Sequence, residues 1–143
     1  MTTEARKTPV EIVNEINSLF PSSLWLDFSL FKYERDRLTV CASEDLCYYH
    51  SLEIHFKDVS YFQGPTDWHG TPERGLLKIV GGSDSVSDNN QDARPIGFSF
   101  INDDDAEITV FASEIAFNTD TVFYYKREHL KPGERIADWV CRK

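Results

Sequence analysis

The sequence predicts a β-dominated α+β fold: one N-terminal amphipathic helix packed on a curved antiparallel sheet of six to eight strands, meander-like and in part barrel- or sandwich-like. Three observations carry this expectation. One stretch near the N-terminus has helical apolar spacing between a capping signal and a proline. From Leu24 onward the apolar period changes to two. The alternating runs are joined by short polar turns, which set sequential strands side by side as antiparallel hairpins. The 143 residues read as one domain over 1–143, long enough to bury roughly 70% of the surface of the unfolded chain.

The helix is specified locally. Thr8, Pro9 and Glu11 occupy N-cap, N1 and N3 of a capping box, with proline where the missing N–H is harmless. Ile12, Val13, Ile16, Leu19 and Phe20 then form one apolar stripe, Asn14, Glu15 and Asn17 fall on the wet side, and Pro21 ends the run. Leu24, Leu26, Phe28 and Leu30 alternate with Trp25, Asp27, Ser29 and Phe31. Glu34-Arg35-Asp36 makes a turn, and Leu38, Val40 and Ala42 return as the second arm of a hairpin. After Ser43-Glu44-Asp45 comes a strand with Leu52, Ile54 and Phe56 on one face and Glu53, His55 and Lys57 on the other. Gln63-Gly64-Pro65 and Gly70-Thr71-Pro72 bracket an irregular loop around Trp68.

Leu76 to Val80 is a short apolar strand, and residues 81–95 form a Gly, Ser, Asp and Asn-rich excursion. Ile96, Phe98 and Phe100 alternate, Asn102-Asp103-Asp104-Asp105 is a hairpin turn, and Ile108, Val110 and Ala112 lead back. A last strand, Val122 to Lys126, precedes Pro132-Gly133 and a short piece with Ile136, Trp139 and Val140. The expected core is Ile12, Ile16, Leu26, Phe28, Leu52, Ile54, Phe98, Phe100, Ile108 and Val110.

Charge supplies the strongest functional signal. Residues 81–125 hold nine acidic side chains, Asp84, Asp88, Asp92, Asp103, Asp104, Asp105, Glu107, Glu114 and Asp120, against the single cation Arg94, within a formal net charge of −9. Such a field attracts cationic partners and repels phosphates, so the expected partner is a basic protein and not nucleic acid. The basic run from Lys126 to Lys131 sits on an acidic chain and is no nucleic-acid signature. The longest apolar runs fall far below the ~20 residues of a membrane span, and no secretory signal is visible, so the expected location is cytoplasmic. Cys41, Cys47 and Cys141 make an odd set without CxxC spacing, the pattern of reduced thiols.

No catalytic constellation stands out, and neither a cofactor nor a metal is expected. The windows starting at Asp88 and at Asp103 both fail as calcium loops: the first has Ala93 and Ser99 where glycine and glutamate belong, and the second demands a loop where the residues alternate as strand. His50, His55, His69 and His129 show no paired ligand spacing, and His55 reads as an exposed strand residue. Ser99 lacks a nucleophile elbow. Trp68, between two glycine–proline turns, has two readings: an indole folded back to plug the sheet, the more usual place for tryptophan in a small domain, and an exposed aromatic anchor for a partner, the reading on which it is named a binding residue.

Two functional classes follow. The leading one is a non-enzymatic acidic protein-binding domain, of the inhibitor or immunity type, that neutralises a basic partner such as a toxin through Trp68 and the nine carboxylates. In general character the chain is similar to the small acidic immunity proteins of bacterial toxin systems, although no motif assigns it to a family. The competing class is a small-ligand-binding or enzymatic domain with a cavity inside the curved sheet, lined by Phe28, Phe56, Phe98 and Phe100.

Overall fold

A computed structural model describes residues 7–81 and 95–140. The helix α1 (Pro9–Asn17) starts as its sequence dictates: Glu11 N–H donates to the Thr8 hydroxyl at 3.1 Å, and Thr8 N–H donates to the Glu11 carboxylate at 2.9 Å. Val13 and Ile16 are its buried face. Asn17 corrects the expectation of a wet-side residue. Its side-chain oxygen accepts from Leu76 N–H and Leu77 N–H at 2.8 and 3.0 Å, and its amide donates to Leu77 O at 2.9 Å. The last helical turn therefore uses a polar side chain to hold the start of a strand 60 residues away.

Twelve strands follow among the described residues, more than expected because several are ladders of two to four residues: β1 (Leu26–Glu34), β2 (Arg37–Ser43), β3 (Tyr49–His50), β4 (Leu52–Lys57), β5 (Tyr61–Gln63), β6 (Asp67–Gly70), β7 (Leu77–Gly81), β8 (Ile96–Phe100), β9 (Thr109–Ala112), β10 (Glu114–Asn118), β11 (Thr121–Phe123) and β12 (Glu134–Ile136). They form a five-stranded sheet in the order β10-β4-β2-β1-β6, a four-stranded sheet β5-β9-β8-β7 and a small sheet β12-β11-β3. Every pair is antiparallel except β11 with β12, which run parallel.

The two larger sheets face each other and share corners. Only Ser113 separates β9 in one from β10 in the other. Gly64, at φ 149° and placed so that an added Cβ would stand 3.1 Å from the Ile108 side chain, makes the opposite corner between β5 and β6. The helix packs on β7 and β10, the edge strands of the two sheets. A bulge between Leu30 and Lys32 bends β1.

Between the sheets lies one continuous apolar core that includes the ten expected residues, with Ile12 partly buried at its margin. Phe28 stacks on Trp68 at 5.7 Å between ring centroids, Trp68 meets Phe100 at 4.9 Å, and Phe56 meets Phe98 at 5.3 Å. These aromatic rings fill the interior where the competing expectation placed a cavity.

The far face of the five-stranded sheet is covered too, which simple alternation does not reveal. In β2 every residue after Arg37 is buried, so Thr39, Cys41 and Ser43 are hidden along with Leu38, Val40 and Ala42. The cover is the small sheet with the 3-10 turn Asp138–Val140: Tyr124 reaches Cys41, and Trp139 packs on Phe31 and Tyr124 at 5.7 and 5.2 Å. Among the described residues no helix is long and apolar enough to cross a membrane.

Candidate functional site

The structure does not gather the acidic segment into one patch. Asp84, Asp88 and Asp92 lie outside the described residues. The rest separate because β9 and β10 belong to different sheets, so Glu114 is carried to the far edge, opposite Lys57. Asp120 pairs with Arg135 at 3.3 Å, and Glu107 is exposed just before β9. Asp103, Asp104 and Asp105 remain together in the β8–β9 turn.

That turn is organised by Asn102. Its side-chain oxygen accepts from Asp104 N–H and Ala106 N–H at 2.9 and 3.0 Å, while its amide donates to Phe100 O and Ala106 O at 3.2 and 2.8 Å. Asp105 takes the left-handed conformation that closes the loop, φ 57°. The turn folds against edge strand β6. Asp103 N–H donates to His69 O at 2.8 Å, and His69 N–H donates to the Asp104 carboxylate at 2.8 Å. Arg74 adds an ion pair to Asp103 at 3.1 Å. That backbone donor, aided by the His69 ring and its charge, holds Asp104 below the usual carboxylate range.

Trp68 is not an exposed anchor. It lies in β6, paired with Phe28 of β1, and is 1% exposed. The four residues Asp67–Gly70 alternate as a short edge strand with Trp68 inward, so this segment is strand where the flanking glycines and prolines suggested loop. The indole plugs the core, and its Nε1–H has no hydrogen-bond partner among the described residues.

Trp25 occupies the place expected of Trp68. The alternation of Leu24, Leu26 and Phe28 puts Trp25 and Asp27 on the outer face, and Trp25 is 53% exposed. Its ring lies 5.2 Å from that of His69. His69 in turn bridges Asp27 through Nε2 and Asp104 through Nδ1, both at 3.3 Å. Asp67, one pleat along β6, is also exposed. The sheet edge thus presents a half-exposed indole beside a histidine that carries the Asp27 and Asp104 carboxylates, and such a surface takes guanidinium or ammonium groups by ion pairing and by contact with the ring face.

A second polar constellation lies where the C-terminal segment crosses the sheet, and sequence spacing gave little sign of it. Glu53, 4% exposed, accepts from His50 Nε2 at 2.7 Å, Arg135 Nη2 at 2.8 Å and Asn118 at 3.2 Å. His55 stands 3.3 Å from the same carboxylate and 3.0 Å from the Thr39 hydroxyl. Burial alone would raise the Glu53 carboxyl, but the donors His50, His55 and Asn118 and the charge of Arg135 hold it far below its ordinary range. His50 is fully buried, and its Nδ1 meets the Tyr124 hydroxyl at 2.6 Å, with Cys41 Sγ 3.9 Å beyond.

This chain of groups has the connectivity of an acid–base relay that ends in a phenol and a thiol. Burial pushes the Cys41 thiol up to about 11, and burial together with Cys41 keeps the Tyr124 phenol protonated. A thiol held neutral is a poor nucleophile. Cys41 and Cys47 are both free; Cys141 lies outside the described residues. Among the described residues no group of three His, Cys, Asp or Glu side chains is arranged to hold a metal ion. No family model matches the chain, and no curated protein or solved structure does either.

Proposed function

We propose that the protein is a non-enzymatic, acidic protein-binding domain of the inhibitor or immunity type, which neutralises a basic partner such as a toxin. The observation that carries this reading is Trp25, half-exposed against His69, whose two ring nitrogens reach the carboxylates of Asp27 and Asp104. An exposed indole on a stiff sheet edge is the type of residue that dominates binding energy. The flanking carboxylates select Arg and Lys, and the −9 charge speeds encounter with a cationic surface at low salt.

The filled interior supports the same reading, since the aromatic residues that might have lined a ligand cavity pack against one another. Affinity capture from the cells that make the protein tests the proposal, with wild type and Trp25→Ala run in parallel. Wild type is expected to retain a basic protein that elutes with added salt. Trp25→Ala is expected to lose at least ~2 kcal/mol of that affinity at an unchanged melting temperature. Equal capture by both proteins, or retention only of neutral and acidic proteins, contradicts it.

A further inference from the structure

The sheet face that carries Glu53 also carries a cleft, distinct from the Trp25 edge. It is about 390 Å³ in volume and open to solvent, and it lies between β1, β2 and β4 on one side and the C-terminal segment on the other. One wall is apolar and flat: Trp139, 52% exposed, leans on Phe31 with ring centroids 5.7 Å apart. Phe31 is held in turn edge-on to His50 at 4.8 Å. The other wall is polar, with Thr39, Glu53, His55 and Arg135, and Lys32 stands at the mouth.

Apart from the Asp138 carboxylate at the rim, the charged hydrogen-bonding capacity left in this cleft is of one kind. Glu53, its most buried acceptor, is already used by His50, Asn118 and Arg135. Arg135 engages Glu53 through Nη2 and Asp120 through Nε, while Nη1 has no hydrogen-bond partner among the described residues. Among the described residues Lys32 has only a 3.4 Å pair with exposed Glu34. The unspent groups are therefore cationic donors, which a carboxylate suits, and the exposed indole suits a flat ring. Asp138 at the rim disfavours more than one negative charge on the ligand. The overall negative charge does not prevent this, because at physiological salt it is screened within about 8 Å and the nearest charges decide.

We propose that this cleft binds a small aromatic monocarboxylate, with the ring on Trp139 and the carboxylate between Arg135 and Lys32. The same chemistry occurs in a free aromatic acid and in the C-terminal aromatic residue of a peptide.

Calorimetric titration with 2-naphthoate tests it, beside 2-naphthylmethanol, 2-naphthylmethylammonium and N-acetyl-glycyl-phenylalanine. Naphthoate is expected to saturate one site with Kd about 1 mM or tighter, the range for a ligand of roughly 13 heavy atoms. The alcohol and the ammonium compound should each bind about tenfold more weakly or not at all. Tighter binding of the acetylated dipeptide would assign the cleft to chain termini, and tighter binding of naphthoate to free acids. Trp139→Ala should raise Kd for naphthoate about tenfold. Lys32→Met, at an exposed position where folding is not at stake, should raise it several-fold and remove most of its salt dependence. Absence of saturation, equal binding of the ammonium compound, or an unchanged Kd in both variants overturns the proposal.

Discussion

Trp68 and Glu53 are each buried at a cost, and each cost yields a measurable prediction. Trp68 fills the space between Phe28 and Phe100 but hides an N–H with no partner among the described residues, an expense of about 1–3 kcal/mol in a protein interior. Trp68→Phe removes that donor while keeping a ring, so it should change stability by less than ~1.5 kcal/mol. Trp68→Ala should lose about 3–5 kcal/mol. Chemical denaturation of both variants checks the pair; similar large losses would mean that the indole N–H has an unseen partner. For Glu53 the folded-state value is depressed, so its stabilisation is complete above the unfolded-state value and is lost as pH falls below it. Wild type should therefore lose stability on going from about pH 5 downward, and Glu53→Gln should show a shallower slope over that interval. Parallel slopes in the two proteins would place the acid sensitivity elsewhere.

At the level of elements, what the sequence made legible was local. The capping box of α1 is complete within four residues, and the period-two runs placed the inward faces of β1, β2, β4, β8 and β9 correctly. What stayed hidden depends on partners far along the chain. The second face of β2 is buried by a segment more than 80 residues away, so alternation alone leaves Thr39 outward, whereas the usual burial of a free thiol does anticipate Cys41. Glu53 reads as an outward charge because its neutralising Arg135 is 82 residues on. The four-residue β6 is too short to announce itself between two glycine–proline turns. Trp25 shares the outward parity of Asp27 in the alternation, which signals its exposure but not its contact with His69 across the sheet. The β8–β9 turn also gains meaning from its fold. Asn102 makes four hydrogen bonds there, so Asn102→Ala should cost about 2–3 kcal/mol and lower the melting temperature. Because Asp103 and Asp104 hold β6, replacing them destabilises the turn as well as removing charge. Asp105→Asn is the cleaner charge probe, since asparagine tolerates the same left-handed conformation. A melting temperature unmoved by Asn102→Ala would show that the turn is held by its backbone alone.

On the scale of the whole molecule, a filled two-sheet core carries a polar outer face that the C-terminal segment divides into two regions. The edge near Trp25 is anionic and aromatic; the cleft near Trp139 offers cationic donors. The central claim is that the first of these is the surface used for a basic protein. Hydrogen–deuterium exchange on the complex with the captured partner tests it most directly. Slowed exchange is expected in residues 24–28, 67–70 and 102–106, with residues 134–140 and the helix unchanged. Protection confined to the helix or to the C-terminal segment, with the Trp25 edge exchanging as in the free protein, would contradict it.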